Sequence, residues 1–370
     1  MSTPAGSSKR VRVLVVDDSM VIRRLVTEAL ASDPQIEVVG IAQNGRIALE
    51  KIASLKPDAV TMDIEMPEMN GIETVRALRR THPRLPVVMF STLTERGASA
   101  TLDALAAGAS DYVTKPSNVG SFAESQHNIR EQLIPKLKAL TGTRRVAVPA
   151  TPPAPKVPSA RRPRTGPFGV LAIGCSTVGP DALAHVLPTL PADLPVPVVI
   201  VQHMPPVFTR LLAARLDGQS KVSVAEAEHG EPLVPGRVLI APGGRHLVVR
   251  RSGTAVVAEL TDDPPENFCR PAVDVLFRSV ANVYGDRVLA AVLTGMGRDG
   301  EKGAHVIRDG GGEVVAQDDA TSVVWGMPGA VAMAGQADQI LPLQQIGPHL
   351  AAALAGGRNV RPPNAVGVAT

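Results

Sequence analysis

Short apolar runs alternate along this chain with longer segments whose apolar positions recur at helical spacing. The run Val11–Val16 precedes a segment in which Ile22, Leu25, Val26, Ala29 and Leu30 share one helix face, with Ser19 placed to cap it. The pattern repeats. Ile36–Ala42 precedes helical Gly45–Leu55, Ala59–Met62 precedes Gly71–Arg80, Val87–Phe90 precedes Ala98–Ala107, and Asp111–Val113 precedes Phe122–Leu140. Strand–helix alternation of this kind predicts a doubly wound parallel sheet. Thr141–Pro167 breaks the rhythm with Pro149, Pro152, Pro153, Pro155 and Pro158, and is expected to be an extended linker. From Phe168 to about Ala355 strands and helices alternate again. Within that stretch Arg237–Ile240, Leu247–Arg250 and Ala255–Leu260 are short runs parted by glycine-containing turns, as in an antiparallel hairpin. The expected fold is therefore α/β, with two doubly wound parallel-sheet domains at 11–140 and 168–355. They are flanked by a disordered N-terminus (1–10), the Pro/Arg-rich linker (141–167) and a flexible tail (356–370).

Composition narrows the function classes. The chain has 370 residues, 44% of them hydrophobic but only 2% aromatic, so the cores must be built from Val, Leu, Ile and Ala. The net charge is +3, yet the linker alone carries Arg144, Arg145, Lys156, Arg161, Arg162 and Arg164 with no acid. The basic balance belongs to the linker rather than to a nucleic-acid-binding face, and few aromatics are available to stack on bases. A helix-turn-helix output module is not expected either, because strand-to-turn glycines fill the region after the linker. Two cysteines, Cys175 and Cys269, support neither a disulfide framework nor a zinc site. The polar N-terminus lacks an apolar signal core and no apolar stretch reaches bilayer length, so no membrane insertion and a cytoplasmic location are expected.

Chemistry-bearing residues fall where the strands end. Asp17 and Asp18 follow the first run, Asp63 ends the third, Ser91 the fourth, and Lys115-Pro116 follows the fifth. The carboxyl ends of a doubly wound sheet converge on one crevice. Three carboxylates there repel one another unless a hard cation joins them, and Mg²⁺ suits oxygen ligands. A lysine opposite can hold phosphoryl oxygens as a point charge, and a hydroxyl at Ser91 can donate to the same group. This half resembles the receiver domain of bacterial two-component response regulators, over about Val11–Leu140. The match includes Asp17-Asp18, Asp63 with Met66-Pro67 and Gly71, Ser91, Tyr112 and Lys115-Pro116. The resemblance implies that Asp63 accepts the phosphoryl group. It implies Mg²⁺ held by Asp18, Asp63 and the Glu65 carbonyl with Asp17 nearby, and coupling through Ser91, Tyr112 and Lys115. It also implies a histidine kinase as phosphodonor.

The second half ends three runs in residue types used for acyl transfer. Phe168–Ile173 leads to Gly174-Cys175-Ser176, Val196–Val201 to Gln202-His203, and Val288–Leu293 to Thr294-Gly295-Met296-Gly297-Arg298-Asp299-Gly300. Serine, histidine and aspartate are thus offered to one crevice as nucleophile, base and orienting acid. The order Ser…His…Asp differs from that of ordinary α/β-hydrolases, and Val178 stands where a G-x-S-x-G elbow would have its second glycine. Together with Ala241–His246, Arg270–Phe277, and Gln317-Asp318 through Pro328, these residues resemble the catalytic domain of the chemotaxis protein-glutamate methylesterases. The match runs from Phe168 to Ile340. It implies a flavodoxin-like receiver followed by a Rossmann-like three-layer hydrolase domain. It further implies Ser176 as nucleophile, His203 as base then acid, Asp299 orienting His203, and the Met296 N–H with Thr177 nearby binding the oxyanion. The substrates implied are glutamyl methyl esters, and selected glutamines, on the cytoplasmic helices of methyl-accepting chemoreceptors. No cofactor is implied for the hydrolase chemistry.

Two positions depart from that family. Val178 replaces a usual glycine, so either the position needs only φ < 0 or the approach to the ester is narrower. Cys269 stands where a histidine is usual, next to Arg270, and is expected to alter substrate contact. Cys175 is a rival nucleophile, but strand alternation should turn it away from the crevice. Asp181, Asp262, Asp274 and Asp286 compete with Asp299 for the third role, with Asp274 falling inside a helical pattern.

Overall fold

The computed structural model describes residues 10–115, 122–142 and 166–356. The first sheet is built from β1 (Val11–Val16), β2 (Ile36–Ala42), β3 (Ala59–Asp63), β4 (Val87–Ser91) and β5 (Asp111–Thr114). The helices α1 (Met20–Ala31), α2 (Gly45–Leu55), α3 (Gly71–Thr81), α4 (Glu95–Ala106) and α5 (Phe122–Leu140) alternate with them. The strand order is β2-β1-β3-β4-β5, all parallel. The central strands β3 and β4 are buried along their whole length, as a sheet covered on both faces requires. Local chemistry sets the helix starts. Ser19 caps α1, Asn44 caps α2, and Asn70 with Glu73 forms a reciprocal capping box on α3.

The second unit runs β6 (Val170–Cys175), α6 (Gly179–Val186), β7 (Val198–Gln202), α7 (Phe208–Asp217), β8 (Ser223–Glu226), β9 (Arg237–Ile240), β10 (His246–Ser252) and β11 (Ala255–Thr261). It continues with α8 (Val273–Tyr284), β12 (Val288–Val292), α9 (Glu301–Asp309), β13 (Glu313–Gln317), α10 (Met327–Met333), β14 (Gln339–Leu341) and α11 (Leu343–Ala355). Seven strands form a parallel sheet in the order β14-β13-β12-β6-β7-β9-β8. The chain leaves β6 toward β7 on one side and later fills β12 on the other, so β6 lies at the topological switch point where ligands bind. Both units thus have the expected architecture.

One expectation is corrected. Arg237–Ile240 is not part of the antiparallel hairpin. It lies in the main sheet as β9, parallel to both β7 and β8. Val238, Leu239 and Ile240 are each at most 1% exposed, and burial on both faces is available only inside the parallel sheet. The hairpin is β10 with β11 alone, closing at Gly253 in the left-handed region. The expected linker, N-terminus and tail lie almost wholly outside the described residues.

The two units meet. The Tyr112 ring stacks on Phe208 with centroids 4.9 Å apart and planes 6° from parallel. Arg210 and Arg215 on α7 pair with Glu95 and Asp103 on α4 at 2.8 and 2.9 Å. A single cluster of buried apolar side chains runs through this contact, including Leu102, Leu105, Tyr112, Phe208 and Leu212. Exposed ion pairs contribute little, ~0.2–1 kcal/mol each. The buried aromatic and aliphatic surface therefore holds the contact, and the ion pairs fix its register.

Candidate active site and phosphoacceptor pocket

In the first unit, one ligand oxygen from each of Asp17, Asp18 and Asp63 lies within 4.8 Å of the others. Lys115 Nζ bridges Asp63 Oδ1 at 2.8 Å and Asp17 Oδ2 at 3.1 Å. Burial, then the neighbouring Asp17 charge, pushes the Asp63 carboxyl up to about 6 against the opposing pull of Lys115. Burial likewise raises the Asp17 pKa. The carboxylates are more than one lysine neutralises, and the set fits a hard divalent cation. The Glu65 side chain turns away to Arg96 at 3.3 Å, while its carbonyl oxygen accepts no hydrogen bond among the described residues and is free for a cation. Gly71 lets α3 start against this pocket, because a Cβ there would lie 2.1 Å from the Asp63 carbonyl oxygen.

Ser91 and Tyr112 do not touch the carboxylates. Ser91 Oγ accepts a 2.5 Å hydrogen bond from Thr101 Oγ1 on α4, and Tyr112 packs on Phe208 of the second unit. Thr101 is a connection that sequence reasoning missed, since nothing in its helical pattern distinguishes it from a packing residue.

In the second unit, Ser176, Thr177 and His203 line one small cleft at the ends of β6 and β7. Their placement follows from register. Cys175 pairs with Gln202, so the next residue on each strand emerges at the same edge, and the His203 N–H donates to the Cys175 carbonyl. Gln202 Nε2 donates to the Ser176 carbonyl at 2.9 Å and ties the two strand ends together. Gly295 packs against the serine, because a Cβ there would lie 2.8 Å from Ser176 Cβ. The Thr177 and Met296 N–H groups donate no hydrogen bond among the described residues. Among the described residues the Ser176 hydroxyl likewise makes no hydrogen bond.

His203 Nε2 lies 2.8 Å from Asp299 Oδ2. Asp299 is 2% exposed, and its carboxylate also accepts from the backbone N–H groups of Val273 and Asp274, at 2.7 and 3.0 Å. Those are the first residues of α8, whose own N-cap, Ala272, has no capping side chain. Asp299 thus caps α8 from another loop, and the positive end of the helix stabilises its charge. Burial opposes that charge, but the His203 hydrogen bond and the α8 N–H groups hold the carboxyl below its ordinary value. Burial, the largest single influence, opposes the charged imidazole, but the contacts with Asp299 and Cys269 together outweigh it and raise the His203 pKa.

Two supports of Asp299 escaped the sequence reading. Asn267 Nδ2 donates to Asp299 Oδ1 at 2.8 Å and to Asp274 Oδ2 at 3.0 Å. Asp274 Oδ1 accepts from Gly300 and Gly303 at 3.0 and 2.7 Å, pinning the loop that carries Asp299. Asp274 lies inside a helix, as expected, but its side chain serves the neighbouring loop. The spacing of 25 residues to Asp299 carries no local signal.

Cys175 is fully buried, donates to Gln202 Oε1 at 3.0 Å, and has its thiol pKa pushed far up by burial, so it is no nucleophile. Val178 resolves the alternative left open by its sequence: it adopts φ 59° and ψ 13°. The left-handed region costs an L-residue ~1–2 kcal/mol, and more for a β-branched one. Glycine would escape that strain while losing ~0.5–1 kcal/mol of unfolded-state entropy. Val178→Gly is therefore expected to stabilise the unit by about 0.5–1 kcal/mol, seen as a rise of about 1–3 °C in its melting temperature. A fall in Tm would show that Val178 packing outweighs the backbone strain.

Comparison with known proteins agrees with this architecture. Residues 13–125 match the family model described as response regulator receiver domain, and residues 171–350 match CheB methylesterase. A receiver joined to an α/β hydrolase defines a response regulator whose output is an enzyme. A protein-glutamate methylesterase/protein-glutamine glutaminase from a Nocardioides species is 59% identical over 355 residues, 94% of this chain and 96% of its own. One from Trichodesmium erythraeum is 50% identical over 340 residues, 90% of this chain and 96% of its own. The crystal structure of the Thermotoga maritima CheB methylesterase catalytic domain is 44% identical. It has a TM-score of 0.50 and covers 50% of this chain and 99% of that one. The chain belongs to the protein-glutamate methylesterase/protein-glutamine glutaminase family: it is a chemotaxis hydrolase carrying its own receiver. No helix among the described residues is long and apolar enough to cross a membrane.

Proposed function

We propose that this enzyme removes methyl groups from glutamyl esters, and deamidates selected glutamines, on the cytoplasmic helices of methyl-accepting chemoreceptors, under control of Asp63 phosphorylation. The observation that carries the chemistry is the His203–Asp299 pair beside Ser176 at the switch point of the second sheet. Asp299 accepts the Nε2–H and so leaves Nδ1 as the basic atom of His203. Ser176 Oγ attacks the ester carbonyl carbon while its proton passes to Nδ1. The oxyanion takes the free N–H groups of Met296 and Thr177. The imidazolium returns the proton to the departing methoxide as methanol, or to the nitrogen of a glutamine as ammonia. Water then attacks the acyl-enzyme with the same base and restores Ser176.

The regulatory half follows the same logic. The acidic pocket suits transfer of a phosphoryl group from a chemotaxis-type histidine kinase to Asp63. Mg²⁺, held by Asp17, Asp18, Asp63 and the Glu65 carbonyl, supplies charge neutralisation for the phosphoryl oxygens when bound. Lys115 holds one of those oxygens. Ser91, drawn to the phosphoryl group, releases Thr101 on α4, and α4 is the helix that grips α7. With Leu105, Tyr112 and Lys136 facing the same cleft as Ser176 and His203, the unphosphorylated receiver occludes the ester site. The domain boundaries 11–140 and 168–355 and a cytoplasmic setting belong to this reading.

A serine-directed fluorophosphonate tests the nucleophile. The expected result is a single adduct on the peptide containing Ser176, lost in His203→Gln. Absence of labelling in the phosphorylated enzyme, or an adduct elsewhere, overturns the assignment.

A further inference from the structure

Cys269 sits at the end of a tight turn formed by Glu266–Cys269, in which Asn267 and Phe268 both have positive φ and Phe268 is fully exposed. Its sulfur lies 3.6 Å from His203 Nδ1. That nitrogen is the one Asp299 leaves basic, so when the imidazole is neutral the thiol S–H is the group placed to donate to the atom that must accept the Ser176 proton. The Ser176 hydroxyl makes no hydrogen bond among the described residues. In this state the base is occupied by sulfur, and Asp299–His203–Cys269 is a continuous carboxylate–imidazole–thiol relay. The contact with Cys269 also adds to the upward pull on the His203 pKa, after that of Asp299. Cys175 provides the contrast within the same chain, being sealed in the core with no charged partner.

We propose that Cys269 is a modification site coupled to catalysis: a half-buried thiol, activated by His203, that soft electrophiles cap, withdrawing the imidazole from Ser176. This rests on the reading of His203 as the base. With iodoacetamide the thiol proton passes to Nδ1, a sulfur–carbon bond forms, the carbon–iodine bond breaks, and iodide departs. The resulting thioether has no proton to donate and places added bulk against Nδ1, in the space the serine hydroxyl must enter.

The test follows iodoacetamide labelling of the full chain by peptide mass spectrometry, in parallel with methanol release. Cys269 is expected to react at least about 10-fold faster than Cys269 in His203→Gln, and Cys175 to stay unlabelled in the folded protein. Hydrolysis is expected to fall in proportion to the Cys269 adduct, and whatever rate Cys269→Ser retains should resist the reagent. Asp299→Asn, which keeps the imidazole but weakens its basicity, is expected to slow labelling as well and serves if His203→Gln misfolds. Equal labelling rates in all three proteins, or full hydrolysis by the alkylated enzyme, overturn the proposal. Labelling does not depend on Ser176. Fast, His203-dependent labelling together with full activity of Ser176→Ala would therefore sink the hydrolase reading and leave the activated thiol standing.

Discussion

Ser176→Ala is expected to reduce methanol release from methylated receptor by at least about 10³-fold, with the fold and the melting temperature nearly unchanged. The size of the effect follows from what is lost. Without Oγ no acyl-enzyme forms, and water must attack the ester directly, aided only by the Thr177 and Met296 N–H groups. The small stability change follows because the hydroxyl makes no hydrogen bond among the described residues, so its removal strands no partner there. Asp299→Asn belongs to the same experiment. An amide at 299 can donate to the imidazole and favour the wrong tautomer, so a loss of about 10³–10⁴-fold in kcat is expected. Unlike the serine variant it also weakens the trans cap on α8, so a lower Tm should accompany it. Retained turnover in Ser176→Ala would remove the nucleophile from the scheme.

Phosphorylation of Asp63 is expected to raise the hydrolysis rate by about 5–150-fold, the range of ordinary coupling free energies. A small-molecule phosphodonor with Mg²⁺ should suffice, and Asp63→Asn should abolish the response. The interface supplies an independent arm. Arg215→Asp sets like charges against Asp103, and Tyr112→Ala removes the ring stacked on Phe208. Arg215→Asp loosens the contact away from the cleft, and Tyr112→Ala also opens the receiver side of the cleft itself. Neither alters Ser176, His203 or Asp299, and each is expected to raise the unphosphorylated rate toward the phosphorylated one. Steady rates across all of these proteins would show that the receiver does not occlude the cleft.

Much of this molecule is legible along the chain because a parallel strand covered on both faces must be a short apolar run, and its ligand-binding residue must follow it at once. Asp63, Ser91, Ser176 and His203 each stand at such a point, so their positions could be read without coordinates. Arg237–Ile240 could not be assigned in the same way. A run of four apolar or amphipathic residues is equally suited to a hairpin, and only pairing partners distant in sequence decide between them.

What the chain determined by itself is therefore the set of elements and the acidic and nucleophilic constellations, which depend on periodicity and on residues adjacent to strand ends, both local properties. The departures at Val178 and Cys269 stood out only against the family resemblance. Tertiary structure alone decided the rest: that Asp299 caps α8, that Asp274 and Asn267 hold Asp299, that Thr101 bonds Ser91, that Tyr112 lies on Phe208, and that Cys269 reaches the His203 imidazole. Each of these is a contact between side chains on separate elements. Its existence depends on how helices cross a sheet and on where a loop returns, quantities set by packing of the whole core and carried by no segment of the sequence on its own.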